Sequence, residues 1–225
     1  GGIAHDFNNL LVGILGHASL ALSDVDPSSR ARAHLLEVER AARGIAHLTD
    51  QMLAYSGKTW LELAPLDPAS HVRSVVEAMR PTLPSGVTIH WSLAPDTPSV
   101  AADATHLARV TESLLVNAAE AVDGNGTVSV GTGTLYLTRS ALDSYSIGRE
   151  AEPGLFAYIE VADDGAGMDA ETQSRMFEPF FTTKFQGRGL GLASVEGLVR
   201  SHRGALVVQS EPGGGTRVRL LLPAA

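Results

Sequence analysis

Two helical stretches in residues 1–58 constrain this chain more than any other feature of its sequence. In the first stretch apolar residues recur every three or four positions, at Ile3, Phe7, Leu10, Ile14, Ala18 and Ala21. In the second stretch the intervals alternate between three and four, as in a coiled-coil seam, at Leu35, Val38, Ala42, Ile45, Thr49 and Met52. A polar break from Asp24 to Ser29 separates the two stretches. Each helix therefore has one apolar face, and two such helices cannot bury both faces by themselves.

Two arrangements would cover these faces. A second copy of the chain would close a four-helix bundle, which is a common solution for helical hairpins. Alternatively, the hairpin would dock onto the remainder of its own chain and need no partner. The periodicity alone leaves both arrangements open.

The remainder of the chain mixes helical and strand-like patterns. Asp67 followed by Pro68 marks a helix start, because Asp caps a helix and Pro suits its first turn. The stretch Thr138–Gly154 is polar, and we expect a long loop there. Helices are predicted at about 68–80, 104–123 and 189–202, and strands over Val87–Leu93, Thr127–Leu137, Leu155–Ala162, Ala205–Ser210 and Thr216–Leu222.

Consecutive strands in this region often follow one another without a helix between them. That order favours an α/β (α+β) sandwich over a doubly wound sheet. The predicted organisation is therefore an α-helical hairpin domain at 1–58, a linker at 59–68 and a sandwich domain at 69–225. Because the chain begins directly in a helical pattern, we expect it to be part of a longer protein.

Charge and composition exclude several classes of function. The net charge is −8 and the 17 Lys and Arg residues form no dense cluster, which disfavours nucleic-acid binding. The chain has no cysteine, so disulfides and thiolate chemistry are excluded. The apolar stretch from Leu10 to Leu22 contains His17 and is shorter than the roughly 18–20 residues of a membrane span. We expect no membrane contact by this part of the protein.

His5 is the first candidate for chemistry. On a helical wheel it lies nearly opposite the apolar stripe, with Asn9 one turn further on and Asp6 adjacent. A carboxylate beside a solvent-facing imidazole can keep one ring nitrogen protonated and leave the other free to attack. Taken alone, an ordinary surface histidine is the simpler interpretation of His5, since the chain has eight histidines.

The residues around His5 change that reading. The string Gly2–Leu11, which reads Gly-Ile-Ala-His-Asp-Phe-Asn-Asn-Leu-Leu, resembles the phosphoacceptor box of sensor histidine kinases. It is most similar to the His-Asp-Phe-Asn-Asn variant of hybrid and nitrogen-regulator-like kinases. The resemblance implies that His5 is phosphorylated, that Asp6 is the general base and that Asn9 serves the reverse, phosphatase reaction. It also favours the dimeric four-helix bundle.

A second segment, Glu112–Ala121, resembles the asparagine box of the histidine-kinase ATP-binding domain. Asn117 matches the second asparagine of that box, and its amide oxygen suits Mg²⁺ as a ligand. Ser113 stands where the family has its first asparagine. Glu112 is the nearest carboxylate to this position, but it lies one residue away and about 100° around the helix from Ser113. The chain therefore lacks an obvious base for hydrolysing ATP with water. This favours transfer to histidine over free-running hydrolysis.

Two glycine-rich segments complete the nucleotide pattern. Asp163–Gly167 resembles the Asp-x-Gly-x-Gly box, which implies that Asp163 reads the adenine amino group while Gly165 and Gly167 let the backbone pass close to the base. The second segment resembles the Gly-x-Gly-Leu-Gly-Leu box, whose backbone N–H groups bind phosphates at a helix start; its residues are Gly187, Arg188, Gly189, Gly191 and Leu192. Arg188 either contacts a phosphate or points to solvent.

Two weaker matches lie beside these boxes. Phe177–Lys184 resembles the phenylalanine box that anchors the lid over ATP. Within it, Lys184 is placed to meet the phosphates, although a surface lysine fits nearly as well. Thr216, after three glycines, resembles the turn residue near the adenine, although a plain hairpin also fits.

Together these segments resemble the catalytic core of a sensor histidine kinase, with an ATPase domain of the gyrase/Hsp90/kinase superfamily. The resemblance implies autophosphorylation of His5 from Mg·ATP, transfer to an aspartate of a response-regulator receiver domain, a homodimer and a cytoplasmic location. Two other functions remain open. One is a phosphotransferase that uses His5 only as a relay, and the other is a superfamily ATPase that couples hydrolysis to a clamp motion.

Overall fold

The structure is a computed structural model that describes residues 2–26, 29–39, 41–42, 61–145, 147–178, 181–183 and 191–225. For residues 2–9 and residue 194 the description covers the backbone alone. The chain forms two compact units, Gly1–Lys58 and Thr59–Ala225. No helix in the described ranges is both long enough and apolar enough to cross a membrane.

The described residues of the first unit form two helices. Helix α1 spans Gly2–Asp24, and helix α2 covers residues 30–39, with helical backbone again at 41–42. Arg32 donates a hydrogen bond from Nη1 to the carbonyl oxygen of Leu22 (2.9 Å), which ties the start of α2 to the end of α1. Leu11, Ala18 and Ala42 are buried within this unit. Other apolar side chains of the same helices are exposed, namely Leu10, Val12, Ile14, Leu20, Leu36 and Val38. The predicted seam residues Ile45, Thr49 and Met52 lie outside the described residues.

The second unit is built on a five-stranded mixed sheet. Its strands are β2 (Gly86–Leu93), β4 (Asn125–Leu137), β5 (Gly154–Asp163), β6 (Ala205–Ser210) and β7 (Thr216–Pro223), in the order β2-β4-β5-β7-β6. Strands β2 and β4 are parallel, and the other pairs are antiparallel. Two short strands, β1 (Ala64–Leu66) and β3 (Val100–Ala102), form a separate antiparallel pair.

Three helices of the second unit are long enough to form a layer, α3 (Pro68–Met79), α4 (Ala104–Ala121) and α7 (Gly191–Ser201). Helix α4 lies between α3 and α7 and also contacts the sheet at β4 and β5. Its buried residues include Leu107, Val110, Leu114 and Ala118, which form one apolar face. The observed α/β fold with a mixed sheet confirms the sandwich expected for this region.

Asp residues cap two of these helices. As predicted, Asp67 precedes α3 and accepts hydrogen bonds from the backbone N–H groups of Ala69 and Ser70, with Pro68 in the first turn. Hydrogen bonds from Ser70 hold the pKa of the Asp67 carboxyl below its usual value. Asp103 caps α4 in the same way. Both caps satisfy N–H groups that a helix start leaves unpaired.

The prediction of a long loop at Thr138–Gly154 is partly wrong. Helix α5 (Arg139–Ser144) occupies its first half, and Thr138 caps this helix by accepting from the N–H of Ala141. Leu142 and Ala151 from the same segment are buried against Phe156, Ala205 and Leu221, which makes the segment a cover for part of the sheet. Strands β1 and β3, the 3₁₀ turn η1 (Arg80–Thr82) and helix α6 (Ala170–Arg175) also lay outside the predictions.

A buried polar joint links the start of α4 to the end of α7. His202 accepts a hydrogen bond at Nε2 from the N–H of Asp103 (3.1 Å), and its Nδ1 lies 2.7 Å from the carbonyl oxygen of Leu198. The Asp103 carboxylate accepts a hydrogen bond from the N–H of Glu62 (3.0 Å). Asp103 and His202 are each 8% exposed. Nδ1 of His106 lies 3.6 Å from Asp103 Oδ2, which is too long for a hydrogen bond. Burial lowers the pKa of His202, which favours its neutral form.

Candidate nucleotide site

Helix α4 brings the predicted nucleotide segments together. Ser113, Asn117 and Ala121 follow one another at intervals of one helical turn. A Cβ atom added at Gly191 would lie 2.8 Å from the hydroxyl oxygen of Ser113. At the other end, the carbonyl oxygen of Ala121 leaves no room for a Cβ atom at Gly165. Gly165 and Gly191 therefore lie against α4 on either side of Asn117, which is half-buried.

Asp163 lies where the ends of β5 and β7 meet. It is paired with Thr216 across the two strands. Its Oδ1 accepts hydrogen bonds from the N–H groups of Gly165 (3.0 Å) and Thr216 (3.2 Å). One carboxylate oxygen thus holds the turn at Gly165 and the start of β7 at Thr216. These charge-assisted hydrogen bonds also fix the orientation of the Asp163 side chain.

The Asp-x-Gly-x-Gly turn packs backbone against backbone on the turn at 211–215. Gly167 has a positive φ of 64°, and a Cβ atom there would fall on the carbonyl oxygen of Glu211. The N–H of Gly213, whose φ is also positive (75°), donates to the carbonyl oxygen of Ala166 (2.7 Å). The contact at Gly167 requires glycine for both its conformation and its lack of a side chain.

Sequence reasoning missed two residues that join these turns. The hydroxyl oxygen of Ser210 accepts from the N–H of Met168 (2.8 Å) and lies 3.0 Å from the carbonyl oxygen of Gly215 and 2.9 Å from Oγ1 of Thr216. Gln173 donates from Nε2 to the carbonyl oxygens of Met168 (3.0 Å) and Ser210 (2.9 Å). The only local signal was a serine at the end of a predicted strand, immediately before a glycine-rich turn.

The phenylalanine segment is described up to residue 178 and at 181–183. The guanidinium of Arg175 lies 4.4 Å from the centre of the Phe181 ring and pairs with Glu178 (Nε to Oε2, 3.2 Å). These contacts hold Phe181 at the end of α6, and the cation–ring contact is itself stabilising.

Several predicted site residues lie outside the described residues, namely Lys184, Gly187, Arg188 and Gly189. Gly191 and Leu192 are described and begin α7; Leu192 is half-buried. His5, Asp6 and Asn9 belong to the first unit, where their backbone is helical within α1.

The donor set around Asn117 suits Mg²⁺. Among the described residues, no group of three or more His, Cys, Asp or Glu side chains could hold a metal ion. Asn117 and Ser113 instead offer neutral oxygen atoms, one turn apart on α4. Mg²⁺ favours oxygen ligands and commonly binds to few protein groups together with substrate phosphates and waters. The residues present therefore fit a magnesium ion that a nucleotide would share.

Comparison with known families decides the class of this domain. Residues 102–225 match the family described as histidine kinase-, DNA gyrase B- and HSP90-like ATPase. The chain belongs to this family. The match covers more than half of the chain. It includes Asn117, the turn Asp163–Gly167, the turn at 211–215 and Thr216. The ATP-binding domain expected from the sequence is confirmed.

Two relatives that match almost the whole chain are named as sensor kinases. The chain is 31% identical to the sensor kinase CckA of Brucella abortus (strain 2308), over 99% of this chain and 24% of that protein. It is 32% identical to the sensory histidine kinase/phosphatase NtrB of Rhodobacter capsulatus, over 99% of this chain and 61% of that protein. Among solved structures, full-length ShkA in complex with AMPPNP has a TM-score of 0.77 at 26% identity, covering 99% of this chain and 45% of that one.

These relatives confirm the resemblance to histidine-kinase catalytic cores. The chain spans less than two thirds of each of these three proteins. The similarity to ShkA extends over both compact units, whereas the family match lies within the second.

Proposed function

We propose that this chain is the core of a two-component sensor histidine kinase that transfers the γ-phosphoryl group of Mg·ATP to His5. The proposal rests on one observation above all: α4 places Asn117 between the Asp163–Gly167 turn and the Gly191 segment. Adenine and phosphate recognition are thereby available on two sides of one helix. Two of the three compared proteins are named as sensor kinases, and the third, ShkA, is in complex with AMPPNP, which supports this function.

Nucleotide binding is assigned to the second unit. The Asp163 carboxylate accepts a hydrogen bond from the adenine amino group, and Gly165 and Gly167 allow the base to approach the backbone. Thr216 lies beside Asp163 and completes this set of residues around the adenine. The phosphates bind to the backbone and side chains that lead into α7, namely Lys184, Gly187, Arg188, Gly189, Gly191 and Leu192.

The transfer step needs little covalent chemistry from the protein. One nitrogen of the neutral His5 ring attacks the γ-phosphorus, so a P–N bond forms while the P–O bond to ADP breaks. Asp6 accepts the proton that the other ring nitrogen gives up. Rate acceleration comes mainly from positioning and from charge stabilisation, as in phosphoryl transfer generally. Asn9, one turn beyond His5, would orient water in the reverse, phosphatase reaction.

Asn117 would hold Mg²⁺ through its amide oxygen, with the Ser113 hydroxyl one turn away as a second neutral oxygen. The ion would neutralise charge on the phosphates. Glu112 is exposed on α4 and does not lie on the helix face that carries Ser113 and Asn117. A water-activating carboxylate at the position of Ser113 is therefore missing, which favours His5 over water as the acceptor.

The phosphoryl group would pass from His5 to an aspartate of a response-regulator receiver domain. Phosphohistidine is a high-energy phosphoryl donor, which suits this transfer. We assign phosphoacceptor and dimerisation roles to residues 1–58, a linker to 59–68 and ATP binding to 69–225, in a cytoplasmic part of the protein.

We further propose that the helical hairpin forms a homodimer. Residues from α1 and α2 line an apolar groove of about 550 Å³, and they are Leu10, Gly13, Ile14, His17, Ala18, Leu35 and Val38. Ile14 is 46% exposed in the single chain, although it belongs to the apolar stripe. A second copy would bury this groove and close a four-helix bundle, which removes exposed apolar area from water.

The dimer predicts that a charge in the groove separates the subunits. Ile14→Glu should shift the protein from dimer to monomer in sedimentation analysis at micromolar concentration. Val12→Glu is the matched control, because Val12 is 71% exposed and does not line the groove. A wild-type protein that sediments as a monomer, or equal dissociation by both substitutions, would contradict the dimer.

The kinase assignment predicts which phosphorylated species accumulates. Incubation with Mg·ATP should give up to one acid-labile, base-stable phosphate per chain, with only slow release of free phosphate. Steady release of phosphate without phosphohistidine would instead support a clamp-type ATPase. A protein that binds no nucleotide would support the relay function.

A further inference from the structure

The hydroxyl group of Ser210 makes contacts that fix the direction of every hydrogen bond around it. A serine hydroxyl has one hydrogen to donate and two lone pairs to accept. The N–H of Met168 can only donate, so it uses one lone pair (2.8 Å). The carbonyl oxygen of Gly215 can only accept, so it takes the single hydroxyl hydrogen of Ser210 (3.0 Å).

The contact between Ser210 and Thr216 then has one possible direction. Their hydroxyl oxygens lie 2.9 Å apart, and Ser210 has no hydrogen left to give. Thr216 must therefore donate its hydroxyl hydrogen to Ser210. The oxygen of Thr216 keeps only lone pairs for any other partner, so towards a ligand it can act only as an acceptor.

Thr216 is also tied to the side chain that we assign to base recognition. Its backbone N–H donates to Oδ1 of Asp163 (3.2 Å), and the two residues are paired across β5 and β7. An acceptor hydroxyl therefore lies beside an acceptor carboxylate. A wall of acceptors suits a base edge that carries an amino group and disfavours one that carries a carbonyl oxygen in the same position, because two acceptors cannot bond to each other.

We propose that Ser210 is a specificity-determining positioning residue: it fixes Thr216 as a hydrogen-bond acceptor and so strengthens discrimination for a 6-amino purine over a 6-oxo purine. The inference rests on the proposed nucleotide site. It assigns no contact between Ser210 and the nucleotide, since Ser210 acts through Thr216. Gln173 supports the same arrangement, because its Nε2 holds the carbonyl oxygens of Met168 and Ser210 together.

The test compares ATP with inosine triphosphate, which differs from ATP in carrying an oxygen instead of the amino group at position 6 of the purine. Calorimetric titration of the whole chain should show preference for ATP. In Ser210→Ala the Thr216 hydroxyl is released and can donate, so the ratio of ATP to inosine triphosphate affinity should fall about three- to tenfold. Ser210→Thr keeps a hydroxyl group at this position and should restore the ratio.

A control separates specificity from general damage to the fold. Ser201→Ala removes a serine hydroxyl on α7 that donates to the carbonyl oxygen of Gly197 (2.7 Å), away from the two turns. It should leave the affinity ratio unchanged. If Ser210→Ala lowers both affinities equally, the residue is merely structural and the inference is wrong. If the wild-type chain binds neither nucleotide, the proposed function itself fails, which is a distinguishable result.

Discussion

At the scale of single residues, Asp163 does the most to organise the candidate site. One of its carboxylate oxygens receives two backbone N–H groups, one from the glycine turn that follows it and one from Thr216 on the neighbouring strand. Its position is therefore fixed before any nucleotide arrives. A preorganised charged acceptor binds its partner more strongly than a mobile one, because no ordering cost remains.

Asp163→Asn should weaken ATP binding roughly ten- to a hundredfold, the range expected for losing a hydrogen bond to a charged group. The asparagine keeps an oxygen for the two N–H groups, so the fold should survive. Asp164→Asn is the matched control, since Asp164 uses Oδ1 to accept from the N–H of Thr127 (2.8 Å) and the amide oxygen can replace it. Calorimetric titration with ATP measures both variants; equal affinity for wild type and Asp163→Asn would remove Asp163 from base recognition.

Local motifs predicted Asp163, Asn117 and Thr216, because each belongs to a short string with a characteristic order of residues. Ser210 and Gln173 were not predictable in this way. Their hydrogen bonds join Met168 to a turn some forty residues later, and no local pattern encodes such a contact. The assignments of the predicted site residues stay predictions until variants are measured.

At the scale of elements, two glycine turns are held against each other by backbone contacts. Gly167 and Gly213 both have positive φ, at 64° and 75°, but their surroundings differ. A Cβ atom at Gly167 would overlap the carbonyl oxygen of Glu211, whereas nothing lies within 4 Å of a Cβ atom at Gly213. The pair thus separates the effect of backbone conformation from the effect of close packing.

Gly213→Ala should lower the free energy of unfolding by about 1–2 kcal/mol, the usual cost of a left-handed conformation in a residue with a side chain. Gly167→Ala should cost more, since Glu211 must also move, and ATP affinity should fall with it. Chemical denaturation and nucleotide titration of both variants provide the measurements. A smaller loss of stability for Gly167→Ala than for Gly213→Ala would contradict the backbone packing described here.

The long elements of the second unit were predictable, because α4 and the five main strands are long enough to show a period. The short elements were not. Strands β1 and β3 have three residues each and α5 and α6 have six, which is too short for a helical or alternating pattern to repeat. Strand β1 also contains Pro65, and proline within a run of residues argues against a strand, so this segment was assigned to the linker.

At the scale of the whole molecule, two histidines give the second unit a dependence on pH: His202, which is buried, and His71, which is half-buried. His202 joins the start of α4 to the end of α7 through Asp103 and Leu198, with His106 as its other titratable neighbour. Burial lowers the pKa of His202 and also that of His71 on α3. Both groups take up a proton more readily in the unfolded chain than in the folded one.

The sign of the resulting pH dependence is fixed. Above the ordinary histidine pKa of about 6.5 both states are neutral at these positions and stability is full. As the pH falls through that value, the unfolded chain gains protons that the folded unit does not, so the free energy of unfolding should decrease from about pH 6.5 downwards. The slope contributed by His202 cannot exceed about 1.4 kcal/mol per pH unit.

His202→Gln should flatten this pH dependence, because glutamine does not titrate in this range, while lowering stability at pH 7.5 by about 1–3 kcal/mol through the disturbed bonds to Asp103 and Leu198. Denaturation curves at several pH values measure both effects. Identical slopes for wild type and the variant would show that His202 is not a source of the acid sensitivity.

The central claim concerns His5, and labelled ATP tests it most directly. With γ-labelled Mg·ATP, wild type and His34→Ala should both acquire acid-labile label, whereas His5→Ala should acquire none and bind ATP within a few-fold of wild type. His34 is the control because it lies in the same unit, is exposed, does not line the apolar groove and matches no motif. Acid-labile label on the His5→Ala protein, at a level comparable to wild type, would contradict the account.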